Sequence, residues 1–326
     1  MRLTKGQRVG LVVILMVFIA GVVVGYVMSG KNGTLVRNSL HAKALPQSAF
    51  NWQPGDEPSD FILETEQPPA WFSQKLVSVT EKGSELVKVE AAIRTLHRQP
   101  FVGGAIQKDL QTTWRLIEDN GRGYCADYSK LFTALMLAEG LPVREWGLGH
   151  TDFGSGHTFN EVYFTSLDKW VFVDSFNGML IEDRTSGQLL SVLEFREHVA
   201  TRDFDDLVVI KLTDKDSFFQ TREEGLNYYA RSSDFFYLIW GNDVFSYDSS
   251  PLIREAAAIA RPLERFAAIL TGYYPGIRLL ETDTNAGARA EVKYLGLGLY
   301  LALAAEILLS LYLIRLLWLL WRQRKQ

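Results

Sequence analysis

Cys125 is the only cysteine among the 326 residues of the chain, and its setting favours a reactive thiol. It follows a turn that contains Gly121 and Gly123. It stands at the start of a segment with helical periodicity that ends at Gly140. A thiol in the first turn of a helix lies near the positive end of the helix dipole, which lowers the thiol pKa. The sequence therefore indicates a cysteine nucleophile.

A cysteine nucleophile needs a base, and the base needs a group that fixes its tautomer. Of the five histidines, His157 directly precedes a predicted strand over 158–164, and Asp174 lies near the end of the next predicted strand, 169–176. Because neighbouring strands of a hairpin bring facing side chains together, we expect His157 and Asp174 to form a hydrogen bond. His150, which precedes the same strand, stays open as an alternative base.

These three sites together resemble the transglutaminase-like superfamily, a branch of the papain-like cysteine enzymes. The resemblance covers about 106–180 and is carried by a Gly-x-Gly-x-Cys motif ending at Cys125, by His157-Thr-Phe-Asn-Glu161, and by Trp170-Val-Phe-Val-Asp174. It implies that Cys125 is the nucleophile, His157 the general base and acid, and Asp174 the orienting partner of His157.

Two positions depart from the family pattern. Phe159 stands where tryptophan is usual, and Ser175-Phe176 replaces the common Pro-Thr. Both lie beside the three site residues, so they bear on substrate fit more than on chemistry. For the oxyanion hole, the backbone N–H of Cys125 is one candidate donor. The side chain of Gln111 or Trp114, in the preceding helix, is another.

The elements around the site predict an α+β fold in which the cysteine helix packs on an antiparallel sheet. The periodicity predicts helices over 86–96, 106–117, 189–198 and 252–270, and strands over 141–146, 158–164, 169–176 and 207–212. The aromatic run 235–240 could form a groove wall, but we interpret it as part of the core.

Two apolar segments, 9–29 and 294–321, are long enough to cross a membrane. The first is interpreted as an uncleaved anchor, because the apolar region of a cleaved signal peptide is normally shorter. Basic residues flank both segments at the chain ends, which predicts cytoplasmic tails at 1–8 and 322–326. The segment 30–72, rich in proline, is predicted to be an extended linker.

The remaining segment, 73–290, is then an exported transglutaminase-like domain with a C-terminal extension. For a membrane-anchored bacterial type, which the resemblance suggests, the domain lies on the periplasmic side of the cytoplasmic membrane. Glu306 interrupts the second apolar segment. It either contacts a partner membrane protein, or lies near the outer headgroups because the segment is longer than the bilayer requires.

The composition excludes several classes of function. One cysteine excludes an intramolecular disulfide and a multi-cysteine zinc site, and neither a metal-ligand cluster nor a phosphate-binding loop is present in the sequence, so no cofactor is expected. The part of the chain between the basic ends is acidic, which argues against nucleic acid as a partner. The expected partners are a protein or peptide-like amide substrate and the membrane lipid.

The sequence thus predicts a membrane-anchored cysteine hydrolase that cleaves amide or peptide bonds through an acyl-enzyme. Water would resolve the acyl-enzyme in a protease or amidase, whereas an amine would resolve it in an acyl transferase. The alternative from another class is a catalytically silent scaffold or assembly factor of a cell-envelope complex, for example one that handles surface polysaccharide.

Overall fold

The structure is a computed structural model that describes residues 4–28, 33–76, 83–154, 156–214, 219 and 221–324. The chain divides into a central unit, Lys43–Asn285, and a terminal unit formed by Met1–Ala42 and Ala286–Gln326. The helices are α1 (Lys5–Met28), α2 (Gly33–His41), α3 (Ala70–Leu76), α4 (Glu85–Leu96), α5 (Leu110–Asn120), α6 (Cys125–Ala138), α7 (Val192–Thr201), α8 (Arg222–Arg231), α9 (Val244–Ser249), α10 (Pro251–Ile259), α11 (Arg261–Thr271) and α12 (Ala286–Arg324). The strands are β1 (Ala42–Leu45), β2 (Val143–Gly149), β3 (Gly156–Phe164), β4 (Lys169–Val173), β5 (Met179–Asp183), β6 (Gln188–Leu189), β7 (Leu207–Lys211), β8 (Phe236–Ile239) and β9 (Ile277–Leu280).

The described strands of the central unit form a larger sheet with the order β1-β9-β8-β2-β3-β4 and a smaller one with the order β6-β5-β7. In the larger sheet, β3 lies antiparallel between β2 and β4, with Leu148 opposite His157 and Asn160 opposite Val173. This register places the start of β3 and the end of β4 at the same edge of the sheet. The α+β fold with an antiparallel sheet is confirmed.

Alternation along the strands gives the larger sheet two buried faces. On β3 and β4, Val162, Val171 and Val173 pack with residues of α4, α5 and α6 in one core. Phe159 and Phe172 point into a second core with residues of α7 and α8. The cysteine helix therefore packs on the sheet as predicted, and both faces of the sheet are covered.

The linker predicted for 30–72 is wrong for most of its described part. Residues 43–45 belong to the edge strand β1, which neighbours β9. Phe50 and Phe61 are buried in the second core. The indole N–H of Trp170 donates to the carbonyl of Trp52 at 2.8 Å. Aromatic side chains thus fix this proline-rich segment to the domain. Residues 30–32 lie outside the described part.

The predicted helix over 252–270 is two helices, α10 and α11. Between them Ala260 has an extended backbone (φ −163°, ψ 145°), and Pro262 lies in the first turn of α11. A proline inside a helix lacks the N–H of one backbone hydrogen bond and clashes with the carbonyl of residue i−4, which kinks or breaks the helix, and here the helix is broken at Ala260. The aromatic run 235–240 contributes β8, whose Phe236 and Leu238 are buried, which confirms the core interpretation.

The remaining predicted elements lie close to the observed ones. The helix predicted over 106–117 begins only at Leu110, because Asp109 caps it by accepting a hydrogen bond from the backbone N–H of Thr112. The helix predicted over 189–198 begins at Val192, after a capping box formed by Ser191 and Glu194.

In the terminal unit, α1 and α12 each contain a stretch long and apolar enough to cross a membrane, Lys5–Tyr26 and Ala286–Gln323. The helix α12 also contacts α2, and the contact requires a small residue at Gly296. A Cβ atom there would come within 2.4 Å of the carbonyl oxygen of Ser39. The two helices are consistent with membrane anchoring.

Candidate active site

The cysteine helix begins at Cys125 itself, after the predicted glycine turn. Gly121 ends α5 in the left-handed conformation (φ 63°), and a Cβ atom on it would lie 1.9 Å from the carbonyl oxygen of Pro100. Gly123 also has a positive φ, 144°. A chain with larger residues here could not make this turn, which delivers the thiol to the first turn of α6.

Asp127 fixes the loop before α5 to the first turn of the cysteine helix. Its carboxylate accepts hydrogen bonds from the backbone N–H groups of Tyr124, Ile106 and Gln107 at 3.0, 3.0 and 2.8 Å. The sequence analysis did not single out Asp127. The available signal was an acidic residue in the first turn of a predicted helix, where it also offsets the helix dipole.

His157 and Asp174 form the hydrogen bond that the hairpin argument predicted. His157 Nε2 lies 2.9 Å from Asp174 Oδ2, and both side chains are buried. The ring of His157 also hydrogen-bonds the thiol of Cys125. Since Nε2 is engaged by Asp174, Nδ1 is the ring nitrogen available to the sulfur. The three residues therefore form a continuous chain from the thiol to the carboxylate.

Asp174 is held by more donors than the sequence suggested. Oδ1 accepts from the backbone N–H groups of Phe176 and Asn177 at 3.0 and 2.9 Å. Oδ2 accepts from the side-chain amide of Asn177 at 2.6 Å and from the hydroxyl of Tyr229 at 2.5 Å. These bonds fix the carboxylate in one orientation and stabilise its ionised form.

The electrostatics favour a thiolate–imidazolium pair. Burial raises the pKa of Cys125, but its hydrogen bond with His157, the charge of His157 and the backbone N–H of Thr158 outweigh this and lower the pKa below its ordinary value. Burial alone would lower the pKa of His157, but Asp174 and the thiol raise it to about 10. A lowered pKa of the thiol next to a raised pKa of the imidazole favours the proton on His157 and a thiolate on Cys125 at neutral pH.

Aromatic rings surround the imidazole. The ring centroids of Phe159, Phe176, Tyr228 and Tyr229 lie 5.9 to 6.0 Å from that of His157. These rings exclude water from the His157–Asp174 bond, and the lower polarity strengthens the electrostatic interaction between the two groups. Phe159 fills the position where the family usually has tryptophan.

Two other histidines lie near the site in different roles. His150 is exposed, and its Nε2 lies 3.5 Å from the hydroxyl of Tyr228. His97 is buried, and its Nε2 lies 2.9 Å from the carbonyl oxygen of Ser175, the residue after Asp174. The hydrogen bond between Asp174 and His157 favours His157 as the base.

The two side-chain candidates for the oxyanion hole both belong to α5. Gln111 and Trp114 line a cavity of about 700 Å³ between α3 and α5. The ring centroids of Trp114 and Phe72 are 5.2 Å apart. The first backbone N–H groups of a helix have no partner within the helix, so the N–H of Cys125 is better placed to bind an oxyanion. A role for Gln111 or Trp114 stays a prediction.

Asn177, Tyr229 and His97 were missed by sequence reasoning. Tyr229 lies in α8, far along the chain from Asp174, so no local pattern links the two. Among the described residues, no group of three histidine, cysteine, aspartate or glutamate side chains is placed to hold a metal ion.

The comparison with protein families agrees with the geometry. Residues 79–175 match the family model of the transglutaminase-like superfamily, which confirms the resemblance over that range. The match includes Cys125, His157 and Asp174, whereas Asn177 and Tyr229 lie beyond it. The comparisons with curated proteins and with solved structures gave no match.

Proposed function

We propose that this protein is a membrane-anchored cysteine hydrolase that cleaves amide or peptide bonds through an acyl-enzyme. One observation carries the proposal. The thiol that begins a helix hydrogen-bonds a buried histidine, and the other side of that histidine is 2.9 Å from a buried aspartate. This is the arrangement that generates and stabilises a thiolate nucleophile.

In the first half-reaction, the Cys125 thiolate attacks the amide carbon and the carbonyl π electrons move to the oxygen. The backbone N–H of Cys125, which is in the first turn of α6 and has no partner within the helix, would donate to this oxyanion. When the tetrahedral intermediate collapses, the C–N bond breaks and protonated His157 gives its proton to the leaving amine. The products are the free amine and a thioester on Cys125.

In the second half-reaction, neutral His157 takes a proton from water as the water oxygen attacks the thioester. The C–S bond then breaks, the acid is released, and the proton on His157 again faces a thiolate. Asp174 holds the ring in one orientation through both steps. An amine in place of water would give acyl transfer with the same residues, and we favour water because bacterial members that this chain resembles are often hydrolases.

Two helices able to span a membrane support an anchored enzyme. Positive charges at both chain ends support cytoplasmic tails, with the catalytic domain on the opposite, periplasmic side of the cytoplasmic membrane. A peptide-like amide outside the cytoplasmic membrane is the substrate class that this arrangement favours.

The test is the pH dependence of alkylation of Cys125 in the detergent-solubilised full chain, followed by intact mass. With one cysteine, each added mass reports Cys125 alone. We expect rapid labelling near pH 6. His157→Ala should slow labelling there by about 10²-fold, because only a small fraction of a thiol with the ordinary pKa of about 8.5 is ionised at that pH.

His150→Ala is the matched control, and it should leave the labelling rate within about twofold. Slow labelling of the wild type with an ordinary thiol pH profile contradicts the proposal. A larger loss in His150→Ala than in His157→Ala makes His150 the base.

The scaffold alternative has one specific observation in its favour. Among the described residues, Oε1 of Glu306 in α12 is buried without a hydrogen-bond partner, whereas an ionisable group within a membrane segment usually has one. A scaffold predicts that Cys125→Ala is silent in a cell-based assay and that Glu306→Leu is damaging. The enzyme predicts that Cys125→Ala removes function while the protein still folds and enters the membrane.

A further inference from the structure

The helical hairpin α10–α11 of the central unit exposes an apolar face to solvent. Its most exposed large side chains are Ile259, Leu270 and Phe266, which are 75%, 64% and 58% accessible. The other exposed apolar side chains of the hairpin are Leu252, Leu263 and Ile269. Large exposed apolar surfaces on a folded domain mark sites of interaction with a partner or a membrane.

The exposure follows from how the two helices are patterned. Along α11, Leu263, Phe266 and Leu270 recur at i, i+3 and i+7, which places them on one face. The opposite side buries only the small residues Ala267 and Ala268, together with Ile253 of α10. Most of the large apolar side chains of this hairpin are therefore exposed, whereas a soluble surface helix usually buries them.

The charges beside this face are mostly basic. The hairpin carries Arg254, Arg261 and Arg265 against two glutamates, one of which, Glu264, lies 3.8 Å from Arg261. Arg254 and Arg265 are exposed. Arginine side chains can extend past an apolar face to place their charge among anionic headgroups. This combination of apolar face and flanking cations is typical of helices that lie in a membrane interface.

The connection along the chain keeps the hairpin near a bilayer. The helix α11 ends at Thr271, and α12, which contains an apolar stretch long enough to span a membrane, begins at Ala286. Even a fully extended chain of that length reaches at most about 50 Å. The end of α11 therefore lies no more than about 50 Å from the start of α12. When α12 is inserted, this tether gives the lipid surface a high local concentration at the hairpin, which a freely diffusing protein partner does not have.

We propose that α10–α11 is an interfacial membrane-binding element, whose outer apolar face inserts between the headgroups of the bilayer that holds α12. Phe266 is at the centre of the inserted face. Together with the two membrane-spanning helices, insertion gives the protein a third membrane attachment, which restricts the orientation of the catalytic domain relative to the lipid surface.

The test uses the full chain in vesicles of phosphatidylethanolamine and phosphatidylglycerol. Replacing the one cysteine by Cys125→Ser allows a spin label to be placed at a single new cysteine. The test position is Phe266→Cys, with Leu263→Cys as a second position on the same face. The matched control is Leu167→Cys, an exposed residue in the turn before β4, which is the edge strand farthest from β1 and β9 in the sheet order.

Power saturation with oxygen, which concentrates in lipid, and with a water-soluble nickel complex gives the depth of each label. We expect the labels at 266 and 263 to be relaxed more by oxygen, and the label at 167 more by nickel. Equal nickel accessibility at all three positions overturns the proposal, since the face is then in water. Protection from both reagents at 266 also overturns it, since the face is then covered by protein, either a second copy or a partner.

A variant with reversed charges tests whether Arg254 and Arg265 bind anionic headgroups. Arg254→Glu with Arg265→Glu, combined with the label at 266, should shift the label towards water in the anionic vesicles and should change it less in vesicles of phosphatidylcholine alone. An unchanged depth in the anionic vesicles contradicts the electrostatic part of the proposal. Because neither arginine belongs to the Cys125 site, alkylation of Cys125 in a chain that retains it checks that the domain is still folded.

Discussion

Strand β3 contributes one residue to each of two buried ion pairs, and the two pairs differ in whether a polar atom is left available to a neighbouring group. Glu161 pairs with Arg144 of β2, and Oε2 of Glu161 lies 2.7 Å from Nε and from Nη2 of Arg144. His157, earlier on the same strand, pairs with Asp174 at 2.9 Å. Burying a charge is costly unless a partner and hydrogen bonds replace water. Both pairs meet that condition, but only one leaves a polar atom available to a reacting group.

The Arg144–Glu161 pair is closed on all sides. Oε2 also accepts from the indole N–H of Trp146 at 2.5 Å, and Oε1 accepts from the backbone N–H of Val192 at 2.7 Å. The guanidinium donates to the carbonyl of Phe50 at 2.8 Å and lies 4.2 Å from the ring centroid of Trp170. Both side chains are almost fully buried, at 2% and 0% exposed, so the pair holds β2, β3 and the N-terminal segment together.

The His157–Asp174 pair is closed on the aspartate side and open on the histidine side. Asp174 is saturated by backbone and side-chain donors, whereas the second ring nitrogen of His157 faces a thiol. A buried charge pair therefore becomes a candidate catalytic device when one of its members is left to share a proton with a nucleophile. The comparison can be tested by breaking each pair in turn.

The largest effect is expected from Glu161→Gln. The substitution leaves the Arg144 guanidinium buried without a counter-charge, which should cost about 3–5 kcal/mol in the free energy of unfolding. Denaturant unfolding of the detergent-solubilised chain measures this loss. Labelling of Cys125 in the folded fraction should keep its low-pH profile, since the thiol and His157 are untouched.

The control for this prediction is the double variant Arg144→Met with Glu161→Leu, which removes both charges. It should recover much of the lost stability, because well-packed apolar residues often replace a buried pair without cost. If the double variant is no more stable than Glu161→Gln, the unpaired charge is not the cause of the loss.

The next effect is expected from Asp174→Asn, which removes the charge that raises the pKa of His157. In the wild type, a pKa of about 10 keeps the imidazole protonated at neutral pH, and its hydrogen bond and charge lower the pKa of the neighbouring thiol. Without the Asp174 charge, the pKa of His157 should fall and the pKa of Cys125 should rise. We expect alkylation near pH 6 to slow by about 10-fold or more, with little slowing near pH 9.

Equal slowing at both pH values contradicts this account, because it points to a misplaced thiol and not to a changed pKa. The stability effect should be smaller than for Glu161→Gln, because an asparagine can still accept the backbone N–H groups of Phe176 and Asn177. This difference in stability loss would distinguish the His157–Asp174 pair from the Arg144–Glu161 pair.

The sequence predicted the parts of this site that depend on local pattern. The glycine turn, the helix start at Cys125 and the hairpin that joins His157 to Asp174 all arise from short segments, and the structure has them. The roles of the three residues as nucleophile, base and orienting group stay predictions. Glu161 was noted only as the end of a family motif, and its physical partner, Arg144, was assigned no role.

The missed features depend on contacts between distant segments. Strand β1 has only four residues, too few to show a strand pattern in the sequence. It forms because it lies beside β9, which comes more than 200 residues later in the chain. Tyr229 reaches Asp174 only because α8 folds back on the second core. The break in the helix predicted over 252–270 does not depend on distant contacts. Pro262 in the sequence indicates it, but the prediction relied on the apolar periodicity instead.

Another buried carboxylate, that of Asp243, has neither the cationic partner nor the full set of hydrogen bonds that stabilise Glu161 and Asp174, within the part of the chain that the structure describes. Asp243 is 5% exposed, and its Oδ2 has no hydrogen-bond partner among the described residues. Burial raises its pKa to about 7. In the unfolded chain an aspartate titrates near its ordinary pKa of 3.8, so between pH 3.8 and about 7 the folded state binds more protons than the unfolded state. Stability should therefore fall as the pH rises from about 4 to about 7.

Asp243→Asn cannot ionise and should remove this loss. We expect the variant to be more stable than the wild type at pH 8 by on the order of 1–2 kcal/mol, and to differ little at pH 4.5. Thermal unfolding in detergent at the two pH values measures the difference. Equal effects at both pH values contradict the assignment to ionisation of Asp243.

The smallest effect is expected from Tyr229→Phe, which removes one donor to Asp174 Oδ2 and keeps the ring in the second core. The same oxygen still accepts from His157 and from the amide of Asn177. With one donor fewer, the carboxylate is less stabilised and its hydrogen bond to the imidazolium should strengthen, so the pKa of Asp174 should rise slightly while the thiolate pair is kept. We expect the alkylation rate near pH 6 to change by no more than about threefold, with a loss of about 1 kcal/mol in stability.

Asn177→Ala, which removes another donor to that oxygen, is the matched variant and should act in the same way. A loss in Tyr229→Phe as large as that in Asp174→Asn contradicts the view that the aspartate is redundantly held, and makes the tyrosine hydroxyl a required part of the relay.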